Sequence, residues 1–465
     1  MFVFEWLLSG QALNIFASGF SNQIHSKWRT VCTNFVILFI PTRRSAKMTE
    51  SSKSFIRGTC MQMCPPREIA SREKQRRLHF FETLAFTSPT SNSSGQQAKL
   101  KADSRVVVKE FSRSAAGKSI DPSDLRPANV LLKTMNYLIG EIASKDSVYS
   151  WQMIYGFVFD RIRAIRQDLV VQRITGKPVV EIFEKACRFH ILSGYKLSES
   201  PLDVFDPKIN NDHTTECLKR LLYFYETEGP SAYKDTRSEF EAYYLLHNLG
   251  SFEALNRAIT LPEGIKNSFL FRLALDIAFT FMLENFVRFF RLIKKLPYLA
   301  CCAVHKHFNQ VRCNALASLN TAYFSRNACL PVMLLVEILN FNNVQEACDF
   351  CSHFGLEVTG TSVKLMKGSL NNTQPPRVRF SNMIDLKLTI NTSDMISGRC
   401  LVTSATVKSS ADAPHSQAFA PAAGGNLSEP SESGLDSQQV SNALQLNERQ
   451  SWFGKGRGRG RKTTQ

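Results

Sequence analysis

"SWQMIYGFVFDRIRAIRQDLVVQRI", residues 150–174, decides the fold class. Trp151, Ile154, Tyr155, Val158, Ile162, Ile165 and Leu169 recur three or four residues apart and form one apolar stripe. That period belongs to a helix burying one face. Asp160, Arg163 and Gln167 fall opposite the stripe. Arg161 and Arg166 flank it, where long stems cover apolar surface and the charged heads stay polar.

Helical patterns continue from residue 127 to about Asn340, with short polar breaks and no strand alternation. "PVVEIFEKACRFHILSGY" (178–195) and "TECLKRLLYFYETEG" (215–229) each read as a helix. In "TRSEFEAYYLLHNLG" (236–250), Thr236 and Glu239 have capping-box spacing and Gly250 suits the C-terminal cap. "NSFLFRLALDIAFTFMLENFVRFFRLIKK" (267–295) reads as one long helix, apolar on most faces. Arg272, Asp276, Glu284, Asn285 and Arg288 interrupt it, and charges are costly in lipid, so it is read as buried in protein. Upstream, Pro66 to Phe86 carries a helical period, and "SIDPSDLRPANVL" (119–131) is a turn feeding a helix with Pro127 at its first position. Antiparallel helix pairs with short turns imply an α-solenoid, although no strict repeat is present.

The pattern changes at Pro331. "LPVMLLVEILNF" and "VQEACDFCSHFG" are two short helices, and "LEVTG" and "SVKLMKG" are strand-like runs around Gly360-Thr361. Helix, helix, hairpin is the order that closes a winged-helix module, with Lys364 and Lys367 making the wing basic. Beyond Arg377 the globular signal fades into a Pro/Gly/Ser-rich tail that should be disordered. The expected division is an N-terminal extension (1–57), a motif-bearing arm (58–126), a helical stack (127–330), a winged helix (331–370) and a disordered tail (371–465). The fold class is mainly α, with disordered termini.

The net charge of +17 favours an anionic partner such as nucleic acid, acidic protein or a membrane surface. The 12 cysteines lie mostly singly in apolar surroundings, which predicts buried free thiols in a reducing compartment. In residues 1–47, Glu5 stands alone against Lys27, Arg29, Arg43, Arg44 and Lys47. The segment reads as a transit peptide or as an extended start before Met48; the second is favoured because nothing downstream looks organellar. "VCTNFVILFI" is too short to span a bilayer.

"GTCMQMCPPRE" (58–68) looks like half a metal site. Structural zinc needs four converging ligands, and neither Cys348, Cys351 and His353 nor Cys301, Cys302, His305 and His307 complete a set. Redox chemistry of the thioredoxin type needs a two-residue spacing, and Cys60–Cys64 has three. No catalytic motif appears, so no catalytic residue, metal or cofactor is assigned. "REKQRR" (72–77) offers Arg72, Arg76 and Arg77 either to RNA or simply to solvent. Arg161, Arg163 and Arg166 read as ion-pair partners of Asp160, Asp168 or neighbouring helices rather than as phosphate contacts. "GKGRGRGRK" (454–462) carries Arg457, Arg459 and Arg461 on flexible backbone, where guanidinium groups reach phosphates and stack on bases; an import signal is the alternative.

Four ordered blocks, "GTCMQMCPPREIASRE", "KEFSRSAAG", "DPSDLRPANVLLKTMNYL" and "FVFDRIRAIRQDLVVQ", resemble the GANP (germinal-centre-associated nuclear protein) family, which includes the leucine-permease transcriptional regulators. The resemblance covers roughly Phe55 to Leu370 and places Cys60, Met63, Cys64, Pro65, Glu68, Arg126, Pro127, Asp160, Arg161, Arg163, Arg166, Gln167 and Asp168 in the family motif. It implies a PCI-type scaffold: a helical stack closed by a winged helix. Cys60, Met63 and Cys64 then become packing for an extended arm. Large members resemble platforms of the nuclear complex coupling transcription to mRNA export, pairing with a second PCI-type subunit and a small acidic disordered protein and presenting a basic surface to RNA. No membrane partner is implied. This chain shows no Phe-Gly repeats before the first motif and no long basic amphipathic helix after Leu370, so neither pore docking nor centrin binding is carried over. The expected location is the nucleus. Short members have been linked to centrosomes and spindles, so a spindle organiser at the centrosome or in the cytoplasm is the alternative.

Overall fold

The computed structural model describes residues 56–84, 101–113, 120–228, 233–323, 325, 329–366, 368–371 and 373–399. The expectations for residues 1–55, for Lys367 and for Arg457, Arg459 and Arg461 concern residues outside these.

The decisive stretch forms helix α3, Trp151–Val171, between α2 (Ala128–Tyr137) and α4 (Lys177–Lys196); α1 is Pro66–Lys74. Ser150 caps α3 by accepting from the Met153 N–H. Ile154, Val158, Ile162 and Ile165 on its stripe are fully buried. Each such side chain contributes about 1.5–3 kcal/mol relative to exposure. Pairs then follow: α4 against α5 (Pro207–Thr227), and α6 (Lys234–His247) against α5 and α8 (Phe269–Met282), with α7 (Phe252–Thr260) between. Helices α9 (Phe286–Ile293), α10 (Tyr298–His305) and α11 (Phe308–Tyr323) complete the stack. The architecture is mainly helical and matches the solenoid expectation. Among the described residues no helix is long and apolar enough to cross a membrane.

At the end of the stack comes a strand, two helices and a hairpin: β1 (Cys329–Pro331), α12 (Val332–Leu339), α13 (Val344–His353), β2 (Glu357–Thr359) and β3 (Ser362–Lys364). The sheet order is β1-β3-β2, all antiparallel. Thr359 faces Ser362, leaving a two-residue turn in which Gly360 takes φ +59°. Two-residue hairpin turns need that left-handed backbone at their first position. Val363 and Leu365 are buried against the helices. Arg312 of α11 fastens this end module. Its guanidinium donates to the carbonyls of Leu339 and Asn340, at 3.1 and 2.6 Å, and to Glu346 at 3.3 Å.

Several sequence expectations change. The helix read over Pro66–Phe86 stops at Lys74; Arg76 adopts φ +55° and a short 3-10 turn covers Phe80–Glu82. The long 267–295 helix is two, because Glu284 takes φ +55° and Asn285 caps α9 by accepting from the Arg288 N–H. Pro127 precedes the first residue of α2 rather than occupying it. Thr236 is not a cap: α6 begins at Lys234, the Thr236 hydroxyl donates to Glu184 of α4 at 2.7 Å, and Glu239 pairs with Arg188. Buried charges on α4 outcompete the local motif. Gly250, at φ +82°, lies two residues past the Asn248 cap.

Order also runs past residue 370. Residues 373–399 form a strap with two short helices, α14 (Asn382–Asp385) and α15 (Thr392–Ser397), returning onto α4 and α10. Ile384 and Ile396 are fully buried. Asn309 donates to the carbonyls of Pro376 and Arg377, at 2.9 and 3.1 Å, and His305 bonds the Arg379 carbonyl at 2.8 Å. Asn342 donates to the Phe380 carbonyl at 2.6 Å, and Tyr195 donates to Asp385 at 2.6 Å. A β-carbon on Gly398 would come within 2.7 Å of Arg188, so the strap ends on the same guanidinium that holds α6.

Ending the chain after Leu370 is expected to lower the unfolding free energy by about 3–6 kcal/mol, from the two isoleucines alone. An unchanged urea midpoint would show the strap to be unbound. A second expectation concerns acid. Burial pushes His190 and His307 down to about 3 and His305 to about 4, so all three fold neutral. The unfolded chain binds protons on them from about pH 6.5 downward. Stability is therefore full above that pH and falls below it, by up to about 1.4 kcal/mol per pH unit for each histidine. Urea midpoints compared at about pH 7.5 and about pH 5 check this sign.

Candidate functional site

The motif residues assemble on one side of α3, around two buried carboxylates. The first is Asp168. Its oxygens accept from Lys109 Nζ and from Arg126 Nε, each at 2.8 Å. Arg126 also donates to the Met63 carbonyl at 3.1 Å, which takes a second bond from the Lys109 N–H at 3.1 Å. The arm is thus pinned through its backbone. Gln172, one turn on, donates to the Arg126 carbonyl at 2.8 Å and accepts from the Gly58 N–H at 2.8 Å. Gly58 lies so close that a β-carbon would stand 2.4 Å from the Leu125 carbonyl oxygen.

The second carboxylate is Glu82, also fully buried. It pairs with Arg72 and, at 3.0 Å, with Arg161 of α3. It accepts from the Val108 and His79 N–H groups at 3.2 and 3.1 Å. Arg72 reaches Glu68 and Glu110 as well, at 3.5 and 3.4 Å. Along the outer face of α3, Asp160 accepts from the Phe111 N–H at 3.1 Å and Gln167 donates to the Ser112 carbonyl at 2.8 Å. The Arg163 guanidinium sits 3.8 Å over the Phe111 ring. Arg166 turns the other way, to Glu216 and His213 on α5.

The sequence-assigned residues among the described ones each have a place. Cys60 and Cys64 are buried, and burial pushes both thiols up, Cys64 well up. Protonated thiols are poor nucleophiles and poor metal ligands. Met63 and Pro65 are buried beside them, and Pro65 precedes α1. Among the described residues, no three or more His, Cys, Asp or Glu side chains group as metal ligands. Arg72 was offered to RNA, and this is corrected: its side chain is 0% exposed and its charge is spent on carboxylates. Arg77 is half exposed but pairs with Glu110. Arg76 is exposed. Arg161 and Arg166 do pair with carboxylates; their heads are buried, however, where the sequence pattern put them at the polar edge of the stripe. On the hairpin, Lys364 is neighboured by Glu357 at 3.2 Å, so the hairpin is less basic than the sequence suggested. Of the ten described cysteines, Cys329 is exposed and Cys313 and Cys348 are half-buried; the rest are buried.

The residues missed were Glu82, Gln172 and Arg312. Glu82 fell inside a stretch taken for helix surface. Gln172 stands in the quoted α3 block, and its place one turn after Asp168 was the available signal.

This geometry defines a class: a helical stack carrying a clamped N-terminal arm and a small mixed module at its far end. The model of the SAC3/GANP family matches residues 63–360, and the chain belongs to that family. Similar proteins include Protein xmas of Drosophila melanogaster, 31% identical over 74% of this chain and 17% of that protein. SAC3 family protein 1 of Schizosaccharomyces pombe is 28% identical over 81% of this chain and 38% of its own length. Protein THP3 of Saccharomyces cerevisiae is 21% identical over 64% of this chain and 62% of its own length. The chain thus spans a sixth to two-fifths of the length of the first two relatives.

Asp168→Ala leaves Arg126 buried without its carboxylate, and is expected to cost about 3–5 kcal/mol in chemical denaturation. Asp160→Ala, at the partly exposed edge of the same helix, is expected to cost no more than about 1 kcal/mol. Equal costs would show that Asp168 is not the anchor.

Proposed function

We propose that this chain is a non-enzymatic scaffold subunit of a nuclear, transcription-coupled mRNA-export complex. Membership of the SAC3/GANP family supports the role. The observation that carries the mechanism is the end module. Its strand, two helices and hairpin follow winged-helix order, and Arg312 and the strap hold it on the last helices of the stack. In this reading the stack is PCI-type and sets the winged helix beside that of a second PCI-type subunit. Tyr323, Met333, Leu334 and Met366 are exposed apolar side chains on or next to the module and supply the protein contact. A small acidic disordered protein completes the assembly, matched by the +17 charge of the chain. RNA is held by Lys364 and Lys367 of the wing and by Arg457, Arg459 and Arg461 of the tail, with Arg76 and Arg77 as further exposed cations. With Lys364 facing Glu357, most of the phosphate contact falls to the tail.

Co-purification from nuclei followed by mass spectrometry tests the assembly. The full chain is expected to recover a PCI-type subunit and RNA, and Met333→Glu with Leu334→Glu to lose the subunit. Recovery of neither from the full chain refutes the reading, and a fluorescent tag concentrated at centrosomes would favour a spindle role instead. RNA affinity is expected to fall with salt. Replacing Arg457, Arg459 and Arg461 by alanine should reduce the slope of log affinity against log salt by about 0.7 per arginine on single strands.

A further inference from the structure

A cavity of about 360 Å³ opens between α4, α5, α10, α11 and the strap. Its lining includes Lys306, Arg377, His190, His247, Ser198 and Asn309, and no Asp or Glu among the described residues. Lys306 is half-buried. It donates to His247 Nε2 at 3.0 Å, and among the described residues no carboxylate forms an ion pair with it. Burial lowers its pKa to about 8, so at neutral pH it remains mostly an ammonium ion. Arg377, from the strap, adds a second cation at the exposed rim; its guanidinium rests on the Ser200 carbonyl. Asp212 acts on Lys306 as an opposite charge without forming an ion pair with it, so an anion in the cavity adds the direct partner that Lys306 lacks.

His190 adds the specificity. Asn210 donates through its amide nitrogen to the His190 carbonyl at 3.0 Å, which fixes its oxygen toward His190 Nδ1, 3.1 Å away. Nδ1 therefore carries the proton, and Nε2 of the neutral ring is a bare acceptor. That nitrogen is buried with no partner, and so is the Ser198 hydroxyl. A ligand satisfying this site presents negative charge to Lys306 and Arg377 and a hydroxyl or amino hydrogen to His190. The volume lies at the lower end of small-molecule sites, far more than a bare phosphate needs. We propose that this cavity binds a small organic phosphate bearing hydroxyl groups, of the size of a sugar phosphate or a nucleoside monophosphate. The strap that closes the cavity then couples occupancy to the end module, because Asn309 and Asn342 hold the strap beside α12 and α13.

Calorimetric titration and thermal melts of the full chain test this with AMP, glucose 6-phosphate, methyl phosphate and inorganic phosphate. AMP or glucose 6-phosphate is expected to bind and raise the melting temperature, and methyl phosphate, without the extra hydroxyls, to bind more weakly. Lys306→Met, checked for folding by circular dichroism, should weaken the better ligand about tenfold or more, the size of one lost charge-assisted hydrogen bond. Should Lys306→Met fail to fold, Arg377→Ala at the exposed rim carries the same expectation. The proposal is overturned if no phosphate binds at millimolar concentration, leaving water as the occupant. It is equally overturned if binding survives the substitution unchanged, which would place the anion elsewhere, as on the arginine tail.

Discussion

Two carboxylates removed from water, Asp168 and Glu82, govern how the N-terminal half of the molecule is arranged. A buried charge is tolerated only when its lone pairs are all engaged. Asp168 reaches 59 residues back to Lys109 and 42 back to Arg126, while Glu82 reaches 79 residues forward to Arg161. Apolar packing alone would let an extended arm slide along α3 at little cost. Charges that find partners in only one alignment do not allow sliding. The clamp therefore selects a register more than it adds net stability, since ion pairs of this kind roughly break even against apolar replacements. The close approach of Gly58 to Leu125 works in the same direction, because no other residue fits there without moving the backbone.

The sequence made the apolar stripe of α3 plain, since seven residues at helical spacing leave little room for another reading. It did not reveal that the far side of the helix is covered too. Arg161 and Arg166 look like residues with their heads in solvent because a polar side chain is normally a sign of water. Here Glu82 and Glu216, distant in the chain, take the place of water. Thr236 and Glu239 failed as a cap for the same reason: Glu184 and Arg188 offered better partners across the helix pair. The break at Glu284-Asn285 was visible as polarity but was read only as a cost against lipid. Asn285 as a capping residue was the stronger signal.

The two-stranded ribbon was legible because Gly360-Thr361 sits between two β-branched runs. Strand β1 was not, because three residues carry no period. The strap was hidden for a different reason. It opens on a polar stretch with Pro375 and Pro376, which reads as loose chain, and its two helices, at four and six residues, are too short to show a period. The groups that order it, Asn309, Tyr195 and His305 on helices and Asn342 in the turn between α12 and α13, lie elsewhere in the chain, and nothing within the strap announces them.

A docking platform needs its end module fixed relative to the stack, since an interface shared with a second subunit loses affinity to any freedom that binding must freeze. Arg312 alone supplies one pivot: it grips the α12–α13 junction from below, with its guanidinium 4.1 Å over the Phe341 ring. A single pivot permits rotation. The strap adds further contacts, from α13 through the His353 to Gln374 bond at 2.9 Å, across α11, to α4 through Tyr195. Attachment at several points removes the rotation. The clamp on α3 and the strap on α4 are joined through α4, which packs against α2, α3 and α5 as well. The arm that carries the family motif is thereby connected through packed helices to the module 200 residues away. That connection gives a physical reason for motif and module to occur in one chain.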